Sequence, residues 1–168
     1  MKDIIKEVYP YIIIIIAVLL IKTYLVAPVR VNGTSMYQTL HDKDVMILNK
    51  VVYKFSKIKR FDIVVVETEN EPLIKRVIGL PGERVEYKDN KLYINGELVN
   101  EKFYHVQTDD FSTKELGSIL IPKDSYLVLG DNRTNSLDSR YYGFIKKKNI
   151  VGRARLTILP VNRIGIKK

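Results

Sequence analysis

Three short stretches hold side chains able to break a covalent bond. In Asn32-Gly33-Thr34-Ser35-Met36 the glycine gives the backbone the freedom to turn and present the Ser35 hydroxyl. A serine alone in a turn more often caps a backbone group or faces solvent than attacks a substrate. Leu73-Ile74-Lys75-Arg76-Val77-Ile78 reads as a strand, with Leu73, Lys75 and Val77 on one face and Ile74, Arg76 and Ile78 on the other. If the Lys75 face meets the core, desolvation weakens the hold of the amine on its proton; buried lysines titrate as low as about 5–6, against about 10.4 in water. A neutral Lys75 is then a base for Ser35. If the Arg76 face meets the core instead, Lys75 is a solvated charge on an edge strand, and the alternation leaves both readings open. The third stretch, Gly130 to Arg140, has eleven residues and a single apolar side chain, Leu137. It is a loop following the apolar run Tyr126–Leu129. Ser136, Asp138 and Arg140 alternate, so an extended backbone brings them to one side. Asp138 can then pair with Arg140, and Ser136 can hydrogen-bond a buried lysine; a plain surface turn has the same composition.

The rest of the composition narrows the chemistry. With no cysteine among 168 residues, disulfides, thiolate metal sites and a cysteine nucleophile are excluded. His41 and His105 are the only histidines, so a Ser/His triad has two choices of base and a polyhistidine metal site has too few ligands. His41 lies in the turn-like Thr39–Asp44 and is expected to be solvated. The 46% hydrophobic content is enough for a packed core, and the length suits one modest domain with an appendage. A net charge of +9 points to an anionic partner. The basic clusters, Lys54-Lys57-Lys59-Arg60 and Lys146-Lys147-Lys148, carry no nucleic-acid motif, which leaves anionic lipid or plain solvation.

The elements that must position these groups begin with Val8–Val29. Ile12–Ile21 is unbroken apolar sequence, and a bilayer-spanning helix needs about 20 such residues. The span is reached if Lys22 snorkels to the interface, with Tyr9, Tyr11 and Tyr24 at headgroup level and Pro28 as its stop. No small-x-small cleavage site follows, as a removable leader requires, and Ile12–Leu20 has no polar face, as a core helix requires. Lysines and arginines flank both ends, so charge does not orient the span. Beyond it the pattern is β. Val45–Leu48, Asp62–Thr68, Leu73–Ile78, Tyr126–Leu129 and Arg155–Leu159 are strands; Val85–Tyr87 and Lys91–Ile94 form a hairpin, and Asn95-Gly96 is a turn. Residues 100–118 read as a polar loop excursion, and no long amphipathic helix follows residue 30.

Taken together and in order, the three stretches resemble the conserved boxes of bacterial type I signal peptidases (leader peptidases, peptidase family S26). Ser35–Leu40, Arg60–Val65, Ile74–Glu83, Gly130–Arg140, Tyr142-Gly143-Phe144 and Val151–Ala154 carry the likeness, from the anchor to about residue 160. The resemblance implies a mainly β fold: an antiparallel β-sheet catalytic domain with one N-terminal transmembrane helix. The implied division is a cytoplasmic 1–7, a membrane helix 8–29 and an extracytoplasmic catalytic domain 30–168, with a small variable β subdomain at about 83–125. The compactness of that subdomain matches the Gram-positive type. By motif position, Ser35 is the nucleophile and Lys75 the general base. The Ser35 backbone N–H donates to the oxyanion, Ser136 orients the lysine, Asp138 and Arg140 hold the site, and Met36 lines the substrate cleft. The implied partners are signal-peptide-bearing preproteins, cut after small-x-small sites, and membrane lipid, with no nucleic acid, metal or cofactor. Gln38 stands where the family usually has proline, Gly33 where many members have a serine that assists the oxyanion, and Phe61 where glycine is common. A substrate set restricted to pilins, or a non-catalytic assembly module, is the alternative that Gln38 keeps open.

Overall fold

In the computed structural model, which describes residues 2–69 and 71–167, the apolar run folds as a helix because nothing in it competes for the backbone and every peptide group is satisfied within the segment. Helix α1, Lys2–Leu20, continues through one π-helical turn, Ile21–Leu25. The side chains described along it face outward, Ile14 at 57% and Ile15 at 58% exposure among them. The Lys22 side chain, on which the snorkelling expectation rests, lies outside the described residues. The span Glu7–Leu25 has 19 residues, a rise of about 28 Å that matches a hydrocarbon core of about 30 Å.

The helix ends four residues before the expected Val29. Val26–Arg30 is strand β1, paired antiparallel with β2, Val45–Asn49. The residue before a proline is driven out of helical geometry, and Pro28 has no N–H for a ladder, which confines it to an edge. β1 is such an edge.

The main sheet also contains β3 (Ile63–Val66), β4 (Leu73–Gly79), β9 (Ser125–Leu129), β10 (Ile145–Lys146), β11 (Ile150–Leu159) and β12 (Gly165–Ile166). The strands run in the order β1-β2-β11-β3-β4-β9-β10, with β12 beside β11. A second sheet, in the order β7-β6-β5-β8, is built from β5 (Val85–Lys88), β6 (Lys91–Ile94), β7 (Glu97–Val99) and β8 (Phe111–Ser112). Its two hairpins turn on Asp89-Asn90 and Asn95-Gly96, all four with positive φ, the geometry a two-residue connection needs to match strand twist. Residues 100–118 are not wholly a loop, contrary to expectation. Phe111 stacks on Tyr87 with centroids 5.3 Å apart, and Ser112 and Glu115 form a capping box over a short 3-10 turn. The second sheet shares its core with the first, since Val85, Tyr87 and Leu92 pack with Ile78, Leu127 and Leu129.

β4 is buried on both faces, which resolves the ambiguity of the alternation. Lys75 is 2% exposed and Arg76 0%. Arg76 finds its counter-charge in Asp131, just past β9, through Nε to Oδ1 at 2.8 Å and Nη2 to Oδ2 at 2.6 Å. The Phe103 ring covers its guanidinium at 3.8 Å. A third donor, Nη1, reaches the Phe61 carbonyl at 3.1 Å. Phe61 has φ +69°, a conformation costing an L-residue about 1–2 kcal/mol. That conformation explains glycine's frequency there in the family resembled. Here the Arg76 bond and an edge-on contact with Phe103 hold it.

Removing one partner of a buried pair strands the other charge, at a cost of about 3–5 kcal/mol. Asp131→Ala should therefore lower the melting temperature in detergent by roughly 6–20 °C, and Arg76→Met/Asp131→Leu should recover most of that loss. Melting of the single variant at the wild-type temperature would contradict this account.

Candidate active site

The Ser35 turn is set from below by apolar anchors. Met36 and Leu40 are 1% and 0% exposed and join Val31, Met46, Leu48 and Ile74 in one cluster. The Met36 side chain, expected to line the substrate cleft, is buried in this cluster and seats the turn. Gly33 (φ +80°) makes the bend, and its N–H donates to Asp42 Oδ1 at 2.9 Å. A Cβ on Gly33 would meet nothing within 4 Å, so the requirement there is conformational, not spatial. The N–H of Tyr37 donates to Thr34 O at 3.0 Å, and that of Leu40 to Met36 O at 2.8 Å. The Thr39 hydroxyl donates to Asp131 Oδ2 at 2.5 Å. The turn at Gln38 is thus fastened on both sides without a proline.

Lys75 comes up from β4 with Val77 on its face and Val64 directly opposite on β3, both 0% exposed. Its Nζ donates to Ser35 Oγ at 2.6 Å. Its pKa is lowered from 10.5 to about 8, chiefly by burial, with Arg140 acting in the same direction and Asp138, Glu71 and Asp131 against it.

The loop after β9 closes over this pair. Asn132 donates through its N–H to the Ser35 carbonyl at 2.9 Å and through Nδ2 to the Thr34 carbonyl at 3.1 Å. Asn135 Nδ2 donates to Thr34 Oγ1 at 3.1 Å. Asp138 and Arg140 do pair, by Nε to Oδ1 at 2.9 Å and Nη2 to Oδ2 at 2.8 Å. They meet through a helix cap and not through an extended strand. Asp138 precedes the four-residue helix α3, Ser139–Tyr142, accepts the Arg140 N–H, and takes the Gly130 N–H at 3.0 Å. A cap needs an acceptor two residues before its donor, the same spacing as strand alternation.

Ser136 lies beside the pair but makes no bond to the lysine: its buried Oγ has no partner among the described residues. Gly130 explains the crowding. A Cβ there would fall 2.3 Å from Ser136 Oγ and 2.4 Å from the Ser35 carbonyl oxygen. His41 is partly buried and not freely solvated as expected: Arg163 Nη1 lies 2.6 Å from its Nδ1 and Tyr37 packs on its ring at 4.9 Å. His105, 3.2 Å from Glu101, belongs to the second sheet's network with Arg133.

A hydroxyl held by a desolvated amine in a fixed turn is the arrangement of a Ser/Lys hydrolase. A family described as signal peptidase, peptidase S26, matches residues 3–159. The chain belongs to this family. Signal peptidase I of Bacillus amyloliquefaciens is 41% identical over 160 residues, covering 91% of this chain and 86% of that one. Signal peptidase I S of Bacillus subtilis (strain 168) is 37% identical over 97% of this chain and 93% of its own. A crystal structure of a signal peptidase I from Enterococcus faecalis V583 superposes with a TM-score of 0.54 at 39% identity, over 58% of this chain and 97% of that one. The fold and the enzyme class expected from the boxes are therefore correct: this is a serine endopeptidase of the signal peptidase family.

Gly130, Asp131, Asn132, Ser139 and Arg76 had no assigned part in the sequence reading, yet each fixes the site. Ser139 Oγ, for example, accepts the Val128 N–H at 2.9 Å inside the sheet. Beyond their membership of the boxes, their sequence signal was a place in a polar loop or a strand, which does not state a partner.

Gly130→Ala forces Ser136 or the Ser35 carbonyl aside. A displacement of about 1 Å at a reacting group costs about 100-fold in rate. Its kcat for peptide cleavage should fall by about that factor with KM little changed; a wild-type kcat would show the close approach to be irrelevant.

Proposed function

We propose that this chain removes N-terminal signal peptides from exported preproteins, with Ser35 as nucleophile and Lys75 as general base. The observation that carries the reading is the 2.6 Å contact between Lys75 Nζ and Ser35 Oγ beneath a desolvating shell. The substrate adds as an extended strand to the free edge of β1, which leads into the Ser35 turn. Small side chains at the first and third positions before the cut bring the scissile carbonyl against Ser35.

Neutral Lys75 accepts the Ser35 proton as Oγ attacks the carbonyl carbon. The Ser35 N–H donates to the developing oxyanion, and the charged lysine then protonates the leaving amine. The Ser136 hydroxyl, free of other partners, accepts from the lysine ammonium when Oγ has left it. Water deprotonated by Lys75 releases the acyl group. Asp138 and Arg140 act as positioning residues, through the Gly130 N–H and the α3 cap.

The apolar helix that ends at Leu25 anchors the enzyme in the membrane, with residues 1–7 cytoplasmic and the catalytic domain outside. Enzyme and substrate then share a surface, which raises their effective concentration. Intact Ser35 and Lys75 in mutual contact favour this reading over a non-catalytic module.

Only the neutral amine is a base, so kcat/KM should rise about tenfold per pH unit below pH 8 and level off above it. Mass spectrometry of an Ala-x-Ala peptide, run across pH, checks both the profile and the cleavage position. Ser35→Ala and Lys75→Ala should both abolish cleavage, and activity surviving in either would sink the dyad. Because the folded state disfavours the lysine charge, Lys75→Met should melt a few degrees higher than wild type at pH 7 while remaining inactive.

A further inference from the structure

Basic residues that the catalytic scheme does not use gather in one place. A groove of about 590 Å³ is rimmed by Lys50, Lys54, Lys123, Lys146, Lys147 and Lys148, with Asp124 the one acid among its lining residues. Tyr53, Ile58 and Ile150 give it an apolar floor. Three separate chain segments build it. The Asn49 side chain accepts the Val51 and Val52 N–H groups at 3.1 and 2.9 Å, starting helix α2, Val52–Phe55, on one wall. On the other, Lys146 pairs with Ser125, and the Lys147 N–H donates to Asp124 O at 2.7 Å. Six ammonium groups around one concavity repel one another unless an anion sits among them. A purely solvated basic face has no reason to surround an apolar floor.

The position of the groove identifies the anion. The Lys50 N–H donates to Leu25 O at 2.9 Å and its Nζ to Thr23 O at 3.1 Å, so the groove wall is fastened to the last turn of the apolar helix. The end of a membrane span lies at the depth of the lipid phosphates. Phe55, next to Lys54 on α2, is 87% exposed, an apolar side chain placed to enter the interface.

We propose that this groove is a binding site for the headgroup of an anionic phospholipid, with the phosphodiester among the lysines and the first lipid carbons on the Tyr53–Ile58–Ile150 floor. The proposal rests on the helix being a membrane span and not on the peptidase reading.

The full chain, purified in detergent, is mixed with equal phosphatidylglycerol and phosphatidylcholine of identical acyl chains, and bound lipid is counted by native mass spectrometry. Wild type should retain phosphatidylglycerol preferentially. Lys146→Gln/Lys147→Gln/Lys148→Gln should lower its occupancy by about tenfold or more, and the triple arginine variant should keep it. Lys88→Gln/Lys91→Gln, on the distant β5–β6 hairpin, should not change it. Circular dichroism and peptide cleavage by the glutamine variant check that its fold is intact. Retention in carbonate-washed membranes reads the anchor separately. Equal retention of the two lipids, or phosphatidylglycerol occupancy unaffected by the glutamines, would overturn the proposal. So would displacement of the lipid by equimolar glycerol phosphate, which would make the groove a site for free phosphate.

Discussion

One carboxylate joins the three segments of the site. Asp131 receives two bonds from Arg76 on β4, accepts a third from Thr39 in the Ser35 turn, and stands in the loop that carries Ser136 and Asp138. Neither charged group of the pair touches water. Such a pair is weak as a source of net stability, because desolvation consumes most of the attraction. Its value is in register: slipping β4 by one residue would bury Lys75 where Arg76 must meet a carboxylate. The pair therefore decides which basic residue points at Asp131 and which is left to face Ser35.

That division gives Lys75 its chemistry. Two adjacent cations on one strand are both buried, but only Arg76 has a full bidentate partner. Lys75 has the Ser35 hydroxyl instead, with valines around it, and Asp138 too far to hydrogen-bond it. The protein thus keeps an amine without a paired carboxylate in its interior, a stability cost that lowers its proton affinity toward the range the proposed base requires. The turn opposite is equally constrained, by Met36 and Leu40 from below and by Asn132 and Asn135 from the side.

The membrane-proximal end has a different electrostatic character. Around the catalytic pair, charges are matched and buried; around the groove beside Lys50, they are of one sign and at the surface. The first arrangement works at short range in a low dielectric. The second, in the lipid site we propose, works at longer range and is open to screening by salt. Both are joined through β1 and β2, the strands that connect the end of the helix to the Ser35 turn.

The apolar span, the hairpin at Lys88–Asn90 and most strands were legible in the sequence, because hydrophobic run length and period-two alternation are local properties of the chain. Gly33 and Ser35 were legible as a turn for the same reason, and the ordered boxes carried the family. The end of the helix was misread by four residues, since a β-branched apolar run fits a span and an edge strand equally well until Pro28 finds its neighbour. His41 was placed in solvent because Arg163, which lies against its ring, is 122 residues along the chain. Which face of β4 was buried had no answer in alternation, as both are. Only the tertiary structure could supply Asp131 for Arg76 and leave Lys75 to Ser35, because a counter-charge 55 residues away has no signature in local pattern.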